Sequence, residues 1–477
     1  MPYTPYTPYT VPIGTDLIGI HKNIDDAIQS RRQLEIRFNL QSQYYDGRHP
    51  IFNVVKTNGF KNQHLMINHA KFIVDVNAGY LLGNPVEYLA RDSQDLSPML
   101  DVYKHQTITD LDHELAVMNG IYGMAYEYIF VADNEINSVK LDPKNAMVIY
   151  DDTLKHNKLF GIIFPSTQKK GDAYTGDIIV IDTQNVYTFD KNLTQTLVTP
   201  HTFGIVPLIE YRNTSKYTND FDSVRSLIDA YNILQSDRLN DKMQLVEAIL
   251  VTYGFAMEPD AQASLRDSRI ISALDKDNRV EFLTKNLDEG QADILRAKIE
   301  ADIHKISMTP NLSDENFIGN ASGVAIRYKL LMFEQSISNK ERYFEKGLLE
   351  RFQIYNAYLN ATSQIPIIPL SDIDTVFKRN LPQNDLETSQ IITALETIVD
   401  KATLISQLSF IDDAQTVIDK QKEEAQQAFK DNQDMFGTTQ PNGGINNQDQ
   451  NTPNNQNPKS NQVQNQPIGK QGNFAKL

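Results

Sequence analysis

The chain has 477 residues, with 45 Lys and Arg against 61 Asp and Glu, a formal charge of −16, and neither Cys nor Trp. This length predicts about three domains or one elongated fold of several parts. The absence of cysteine excludes disulfides, thiolate metal sites and a cysteine nucleophile. The acidic excess argues against a protein that grips nucleic acid non-specifically, because such binding depends on Lys and Arg neutralising phosphates.

Both ends of the chain are predicted to be disordered. The N-terminus repeats Pro-Tyr-Thr three times, from Pro2 to Thr10, and is unlike a charged and then apolar secretory signal. No run of about 18 apolar residues occurs, so we expect a soluble protein made in a cytoplasm, with no membrane partner. Residues 437–477 include 18 Asn or Gln and carry a charge of +2, which leaves −18 on residues 1–436.

The first half of the chain mixes helices with short strands. Helices are predicted over Ile24–Leu40 and Gln63–Leu82, the second ended by Gly83-Asn84-Pro85. After Tyr122 the pattern changes to short β-rich runs separated by turn residues, which predicts an antiparallel sheet module closed by Pro207. The runs are Tyr126–Val131, Ala146–Tyr150, Phe160–Phe164, Ile178–Ile181 and Asn185–Phe189.

Two helical rods carrying a hairpin are predicted next. Apolar residues at steps of three and four indicate a helix over Asp222–Leu250, roughly 44 Å long, and a second over Gln291–Ile306. Between them lie two strand-like runs, Arg269–Leu274 and Arg279–Thr284, joined by the turn Asp275–Asn278. The sequence therefore predicts a β-hairpin at the far end of a helix pair.

A polar, irregular segment, Met308–Gly323, leads into a very long helix. That helix is predicted over Gly323–Asn360, roughly 56 Å, and its apolar stripe is expected to be intramolecular core, with contact to a second copy as the alternative. Three further helices are predicted from about Asp385 to Met435. The stripe consists of Phe344, Leu348, Phe352, Tyr355 and Leu359.

No pattern in the sequence predicts catalysis, a cofactor or a metal. Gly319-Asn-Ala-Ser-Gly323 lacks the lysine and the preceding strand of a phosphate-binding loop, so we interpret it as a plain loop. His64 and His69 are five residues apart, outside the four-residue spacing of a helical metal site. The densest acidic group, Asp110-Leu-Asp112-His113-Glu114, is typical of a first helical turn. The sequence thus favours an architectural protein over an enzyme.

Six segments carry a family resemblance, in order, between about residues 40 and 430. They are Tyr44–Ile51, Asn68–Val86, Val206–Asn213, Ser226–Asn232 with Gln235–Asp237, Ser313–Leu330, and Phe377–Asp385. As an ordered set they resemble the portal proteins of tailed, siphovirus-type phages of Gram-positive bacteria.

The resemblance implies a ring, usually of twelve identical subunits, at one vertex of the capsid. Such a ring is a virion component assembled in the bacterial host cytoplasm, and double-stranded DNA passes through its channel during packaging and ejection. The implied partners are terminase, head-tail connector or adaptor proteins, and the major capsid and scaffolding proteins. No cofactor is implied.

The implied fold is α+β and mainly helical, with a wing containing a sheet module, a two-helix stem, a small α/β clip, a tunnel loop and a helical crown. The expected divisions are a disordered arm (1–15), wing (16–221), first stem helix (222–250), clip (251–288), second stem helix (289–307), tunnel loop (308–322), long helix and wing return (323–382), crown (383–436) and disordered tail (437–477).

Two sets of residues are expected to face DNA. The tunnel loop places Asp314 and Glu315 to repel phosphate and Phe317 to brace the loop. Three stem lysines, Lys242, Lys298 and Lys305, are candidates for weak DNA contacts, with a solvated or inter-subunit charge as the alternative for each. The full loop set is Leu312, Ser313, Asp314, Glu315, Asn316, Phe317, Ile318, Gly319 and Asn320.

Two rival functions remain open from the sequence. A head-tail adaptor or minor capsid protein would share the acidic, non-catalytic character, although adaptors are generally much shorter. A metal-dependent nuclease would use Asp110, Asp112, His113 and Glu114 as a two-metal site.

Overall fold

A computed structural model of the chain describes residues 6–16, 21–54, 62–91, 94–246, 249–253, 279–283, 289–312, 323–363, 365–379, 385–405, 408, 411, 416–424 and 426–427. The fold is mixed α/β, with about half of the described residues in helices. The chain divides into two compact units, Met1–Asn384 and Asp385–Leu477. None of the helices in the described ranges has the length and apolar content needed to cross a lipid bilayer.

The first unit begins with a strand and a series of helices. The predicted helix at Ile24–Leu40 lies within a longer one, α1. The prediction for Gln63–Leu82 is wrong at its start, because the side chain of Asn68 accepts a hydrogen bond from the Lys71 amide and begins the helix at His69. The elements are β1 (Tyr9–Val11), α1 (His21–Tyr45), α2 (His69–Leu82), β2 (Glu87–Ala90), α3 (Ser97–His105) and α4 (Ile108–Tyr122).

Ten strands follow, and all five predicted runs are among them. They form two main sheets rather than one module: six strands in the order β1-β5-β6-β9-β10-β11, and three in the order β12-β3-β4. The strands are β3 (Met124–Ala132), β4 (Glu135–Leu141), β5 (Ala146–Asp151), β6 (Lys158–Ile163), β7 (Lys169–Lys170), β8 (Ala173–Tyr174), β9 (Ile178–Ile181), β10 (Asn185–Phe189), β11 (Gln195–Pro200) and β12 (Leu208–Arg212).

The last residues of the N-terminal repeat, Tyr9 and Thr10, are part of this sheet. β1 pairs in parallel with β5, with Tyr9 opposite Ile149, whereas the prediction was a purely antiparallel module. Tyr6 is buried, and its ring meets that of Tyr217 edge-on with centroids 4.5 Å apart. Disorder over residues 1–15 is therefore wrong for the described part of that arm, because its tyrosines bury enough aromatic surface to hold the backbone against the sheet.

The predicted rods and long helix are present, and the first rod is shorter at both ends: it begins at Arg225 instead of Asp222. The first rod ends at Val246 instead of Leu250, because the run of β-branched residues from Ile249 continues as a strand. The elements are α5 (Arg225–Val246), β13 (Ile249–Tyr253), β14 (Arg279–Leu283), α6 (Glu289–Ser307), α7 (Gly323–Ser363) and β15 (Ile373–Val376), which pairs with β2.

The second unit contains short helices. They are α8 (Asp385–Leu395) and α9 (Lys401–Ile405), with helical backbone again over 416–424. The predicted tail, 437–477, lies outside the described residues.

The apolar face of α7 packs inside its own chain. Phe344, Leu348 and Phe352 are buried in one core cluster with Tyr211 of β12. The helix approaches β12 so closely that a Cβ on Gly347 would lie 2.3 Å from Cε1 of Tyr211. The expectation of intramolecular core is confirmed, so this stripe is not available to a second copy.

Candidate functional site

Helices α5 and α6 form an antiparallel pair. Near the core, the Tyr231 hydroxyl lies 3.5 Å from Oε2 of Glu300, and seven residues farther along α5, Nη1 of Arg238 lies 3.6 Å from Oδ1 of Asp293. Each step forward on α5 is matched by an equal step back on α6. The chain therefore leaves the core on one helix and returns beside it on the other.

The two strands β13 and β14 continue this course beyond the helices. Their antiparallel register sets Ile249 opposite Leu283 and Tyr253 opposite Arg279. β14 was predicted, but its partner here is the strand directly after α5. The predicted partner, Arg269–Leu274, lies outside the described residues.

Packing of the helix pair falls off with distance from the core. Ile228, Tyr231 and Ile303 are buried in a cluster shared with the sheets. Toward the hairpin, Ile294 and Leu295 of α6 are 72% and 50% exposed. Burying such side chains stabilises a fold by about 1.5–3 kcal/mol each, so the outer part of the pair leaves apolar surface that the isolated chain does not use.

The predicted stem lysines are all exposed on these two helices. Nζ of Lys298 lies 3.3 Å from Oδ1 of Asp302 on the next turn. Lys298 and Lys305 are seven residues apart, so they share one face of α6 about 10 Å apart along its axis. Lys242 lies near the C-terminal end of α5, at the end of the pair next to β13. The structure thus brings two of the three lysines onto one surface.

The helix pair is almost neutral. α5 carries three basic and three acidic side chains, and α6 carries three basic and four acidic ones, which gives the pair a formal charge of −1. Of the −18 on residues 1–436, −17 therefore lies elsewhere. The acidic excess of residues 1–436 therefore does not extend to the helix pair α5 and α6.

Of the predicted tunnel loop, the structure describes only the approach. Leu312 is half-exposed, and Ser313–Asn320 lie outside the described residues. α6 ends where Met308 adopts a left-handed backbone, with φ of 59°. The next residue, Thr309, is buried, and its carbonyl oxygen lies 3.1 Å from Nδ1 of His304.

A buried polar network holds this approach to α7. The Thr309 hydroxyl donates to Oδ1 of Asn77 at 3.3 Å, and Nδ2 of Asn77 donates to Oδ2 of Asp220 at 2.8 Å. The ammonium of Lys340, on α7, is paired with the same carboxylate. The segment that precedes residues 313–322 and the helix that follows them are therefore fixed to one network.

His69 sits where α2, α5 and α6 meet. Its ring centroid lies 4.9 Å from that of Tyr231 and 5.9 Å from that of His304. Burial, and to a smaller extent the neighbouring His304, lower the pKa of His69 to about 4. His69 is thus a neutral packing residue at pH 7. Across the described ranges, no cluster of three or more His, Asp or Glu side chains is placed to hold a metal.

The charged side chains near the start of α4 lie in different environments. Asp110 lies in the first turn, as predicted, and is exposed together with His113. Glu114 pairs at 2.8 Å with Lys140 on the surface, whereas Asp112 is buried. The predicted acidic first turn is confirmed for Asp110 alone, and the four side chains of the rival two-metal site are not brought together.

Asp112 belongs to a buried ionic cluster that sequence reasoning missed. Arg351 donates from Nη1 to Oδ1 of Asp112 at 2.5 Å and from Nε to Oε1 of Glu127 at 2.9 Å, while the Tyr211 hydroxyl donates to Glu127 at 2.6 Å. Burial raises the pKa of Asp112 to about 6, against the lowering effect of Arg351. The available signal was a charged residue inside each apolar pattern: Arg351 beside Phe352, and Glu127 within a buried strand.

A second buried cluster surrounds Glu210. Its carboxylate accepts hydrogen bonds from the hydroxyls of Tyr126 at 2.8 Å, Tyr217 at 2.8 Å and Tyr150 at 3.1 Å. Arg31, also buried, donates to the Tyr126 hydroxyl at 2.7 Å. These bonds join α1 to strands of both sheets, so the cluster ties the helix and the two sheets together.

Comparisons with known proteins all find phage portal proteins. The model of a family described as phage portal protein, SPP1 Gp6-like, matches residues 25–431. The portal protein of Bacillus phage SPP1 is 24% identical to the chain over 381 residues, which cover 75% of each protein. The portal protein of Clostridium phage phiCD119 is 23% identical over 222 residues, 45% of this chain and 48% of that protein.

Proposed function

The chain belongs to the SPP1 Gp6-like family of phage portal proteins, and from this membership we propose that twelve copies close into a ring at one capsid vertex. Double-stranded DNA would enter the head through the ring during packaging and leave by the same channel. The family match over residues 25–431 is the observation that carries this proposal. A closed ring of identical subunits needs two different complementary surfaces on each copy.

We assign the parts of the ring as follows. The pair α5 and α6 forms the stem, β13 and β14 form the base of the clip, the two sheets with α1–α4 form the wing, and α8 and α9 belong to the crown. The antiparallel course of the helix pair into the strand pair supports the stem and clip assignments. The clip would face terminase during packaging and connector or adaptor proteins afterwards. The wing and crown would face the major capsid and scaffolding proteins.

We further propose that residues 312–320 line the narrowest part of the channel. Their position between Thr309 and α7, both bonded into the Asp220 network, supports this assignment. Asp314 and Glu315 would repel DNA phosphates, and Phe317 would brace the loop. A variant with all three residues changed to Ala is expected to package DNA at an altered rate; packaging unchanged from the wild type would remove the basis of the assignment.

The stem lysines suit weak and transient DNA contact. Lys298 and Lys305 lie on one exposed face, and Asp302 between them partly compensates their charge. Each phosphate contact by a lysine strengthens binding and makes it salt-dependent, so a nearly neutral stem would let DNA slide. Changing Lys298 and Lys305 to Ala is expected to reduce the salt dependence of DNA passage.

The proposed ring is tested by electron microscopy of the purified full-length protein. We expect rotationally symmetric rings with a central hole. We further propose that these rings assemble in the host cytoplasm and are present in virions. Class averages would give the subunit number. A compact monomer would contradict the proposal.

A further inference from the structure

An extended segment runs along α5 and is bonded to it by side chains at regular spacing. We call residues 62–68 the strap. Its alternate backbone amides donate to polar side chains four residues apart on α5, which form three rungs. The bonds are Ile67 N to Asn232 Oδ1 at 2.9 Å, Leu65 N to Ser236 Oγ at 2.9 Å, and Gln63 N to Asn240 Oδ1 at 2.8 Å.

The two spacings match because of elementary backbone geometry. Four residues of α-helix advance about 6.0 Å along the axis, and two residues of extended chain advance about 6.6 Å. The strap runs in the opposite direction to α5, so the rungs stay in step with a mismatch of about 0.6 Å each. Shifting the strap by one residue would turn its bonded amides to the opposite side, since alternate residues of an extended chain face opposite ways.

The rung side chains are buried and bonded in more than one direction. Asn232, Ser236 and Asn240 are 0%, 2% and 4% exposed. Nδ2 of Asn240 also donates to the Gln63 carbonyl at 3.0 Å. A buried polar group without a partner is costly, so sliding α5 along the strap would leave donors and acceptors of both unpaired.

His49 fixes the orientation of the first rung. Its Nε2 lies 2.9 Å from the carbonyl oxygen of Tyr44, and a carbonyl only accepts, so Nε2 carries the hydrogen. Nδ1 is then an acceptor for Nδ2 of Asn232 at 3.1 Å. With its amide nitrogen held on His49, Asn232 must turn Oδ1 toward the amide of Ile67.

We propose that Asn232, Ser236 and Asn240 are positioning residues that set the rotation and axial position of α5 against the strap. In the ring, they would decide which face of the stem helix turns to the channel, a consequence that rests on the proposed portal function. Core packing of Ile228 and Tyr231 holds the inner end of α5, and the ladder continues that contact toward the thinly packed end of the helix pair.

The ladder is tested by hydrogen exchange at single-residue resolution on the full-length protein. In Asn232→Ala, Ser236→Ala and Asn240→Ala we expect the amides of Ile67, Leu65 and Gln63 respectively to exchange roughly five- to tenfold faster, because each loses its acceptor. Ser236→Thr keeps a hydroxyl and should restore slow exchange at Leu65. The matched controls are Ser226→Ala on an exposed position of α5 and Asn339→Ala on an exposed position of α7.

The outcomes separate this inference from the proposed function. Unchanged exchange at Gln63, Leu65 and Ile67, or the same increase in both control variants, would overturn the ladder whatever the protein does. Faster exchange with an unchanged DNA packaging rate would keep the ladder and contradict the channel role of α5. If Asn232→Ala fails to fold, Ser236→Ala against Ser236→Thr decides the question alone.

Discussion

The body around Arg351 and the outer half of the α5–α6 pair are held together in contrasting ways. Arg351 is fully buried and bonded to Asp112 and Glu127, whereas the side chains of the Arg238–Asp293 pair are 24% and 57% exposed and 3.6 Å apart. Exposed ion pairs contribute about 0–1 kcal/mol, while removing one partner of a buried pair costs several times more. The body is stabilised within one chain; the helix pair exposes apolar surface that assembly can cover.

The largest expected effect is the loss of Arg351. In Arg351→Ala, two buried carboxylates lose their counter-charge, and we expect the free energy of unfolding to fall by about 3–5 kcal/mol. Arg342→Ala, at an exposed position of the same helix, is the matched control and should change it by less than about 0.5 kcal/mol. Urea unfolding of both variants measures the difference. Equal effects would mean that the ionic cluster does not hold the body together.

A second test uses pH. The pKa of Asp112 is about 6 in the folded protein against about 3.9 unfolded, so its contribution to stability is full below pH 4 and is lost as pH rises through 6. Asp112→Asn removes this titration. Between pH 4 and pH 7 we therefore expect the free energy of unfolding of the wild type to fall by up to roughly 3 kcal/mol more than that of the variant. Urea unfolding of the wild type and the variant at pH 4 and at pH 7 measures this difference. A difference that does not vary with pH would refute the buried titration.

A third test compares two helical glycines. Gly347→Ala would press a methyl group into the buried ring of Tyr211, and we expect a loss of about 1–3 kcal/mol despite better helix propensity. Gly79→Ala, on α2, meets nothing within 4 Å and should instead stabilise the protein by up to about 1 kcal/mol. Thermal unfolding of the two variants reads out the sign. Stabilisation by both would show that α7 does not approach β12 this closely.

The smallest effect on stability is expected on the helix pair. Ile294→Ser, at a side chain 72% exposed, should change the free energy of unfolding by less than about 0.5 kcal/mol. The same variant should lower the fraction of protein in rings, measured by size-exclusion chromatography and microscopy. Leu154→Ser, at an exposed position of the body, is the control and should alter neither quantity. Undiminished ring formation by Ile294→Ser would mean that this surface stays in solvent.

Periodic patterns of apolar residues predicted most of the elements. The predictions failed where one segment fits both a helical and a strand pattern. The extents of α6 and α7 and five strands follow from apolar spacing. α5 was extended too far because Ile249 continues its helical spacing while also suiting a strand. The apolar residues Leu65 and Ile67 of the strap extend the pattern of α2 toward the N-terminus and so predict helix there, and only the cap at Asn68 separates the two segments.

Polar partners distant in the sequence could not be predicted. Glu127 and Arg351 are 224 residues apart, and nothing in either segment specifies the other. The near-neutral charge of the helix pair, by contrast, could be counted from the sequence once the two rods were predicted, although total composition gave only the acidic excess. Asn232, Ser236 and Asn240 did leave a signal: three polar residues on one face of an apolar-patterned helix, each four residues from the next.

The strap also bears on how this part of the gene can change in length. Deleting one residue between Gln63 and Ile67 would put the wrong face of the segment against α5, whereas deleting two would restore the facing and move the contact by one rung. Insertions and deletions in pairs should therefore be tolerated better than single ones. The mismatch of about 0.6 Å per rung adds up along the helix, which limits how many rungs such a contact can contain.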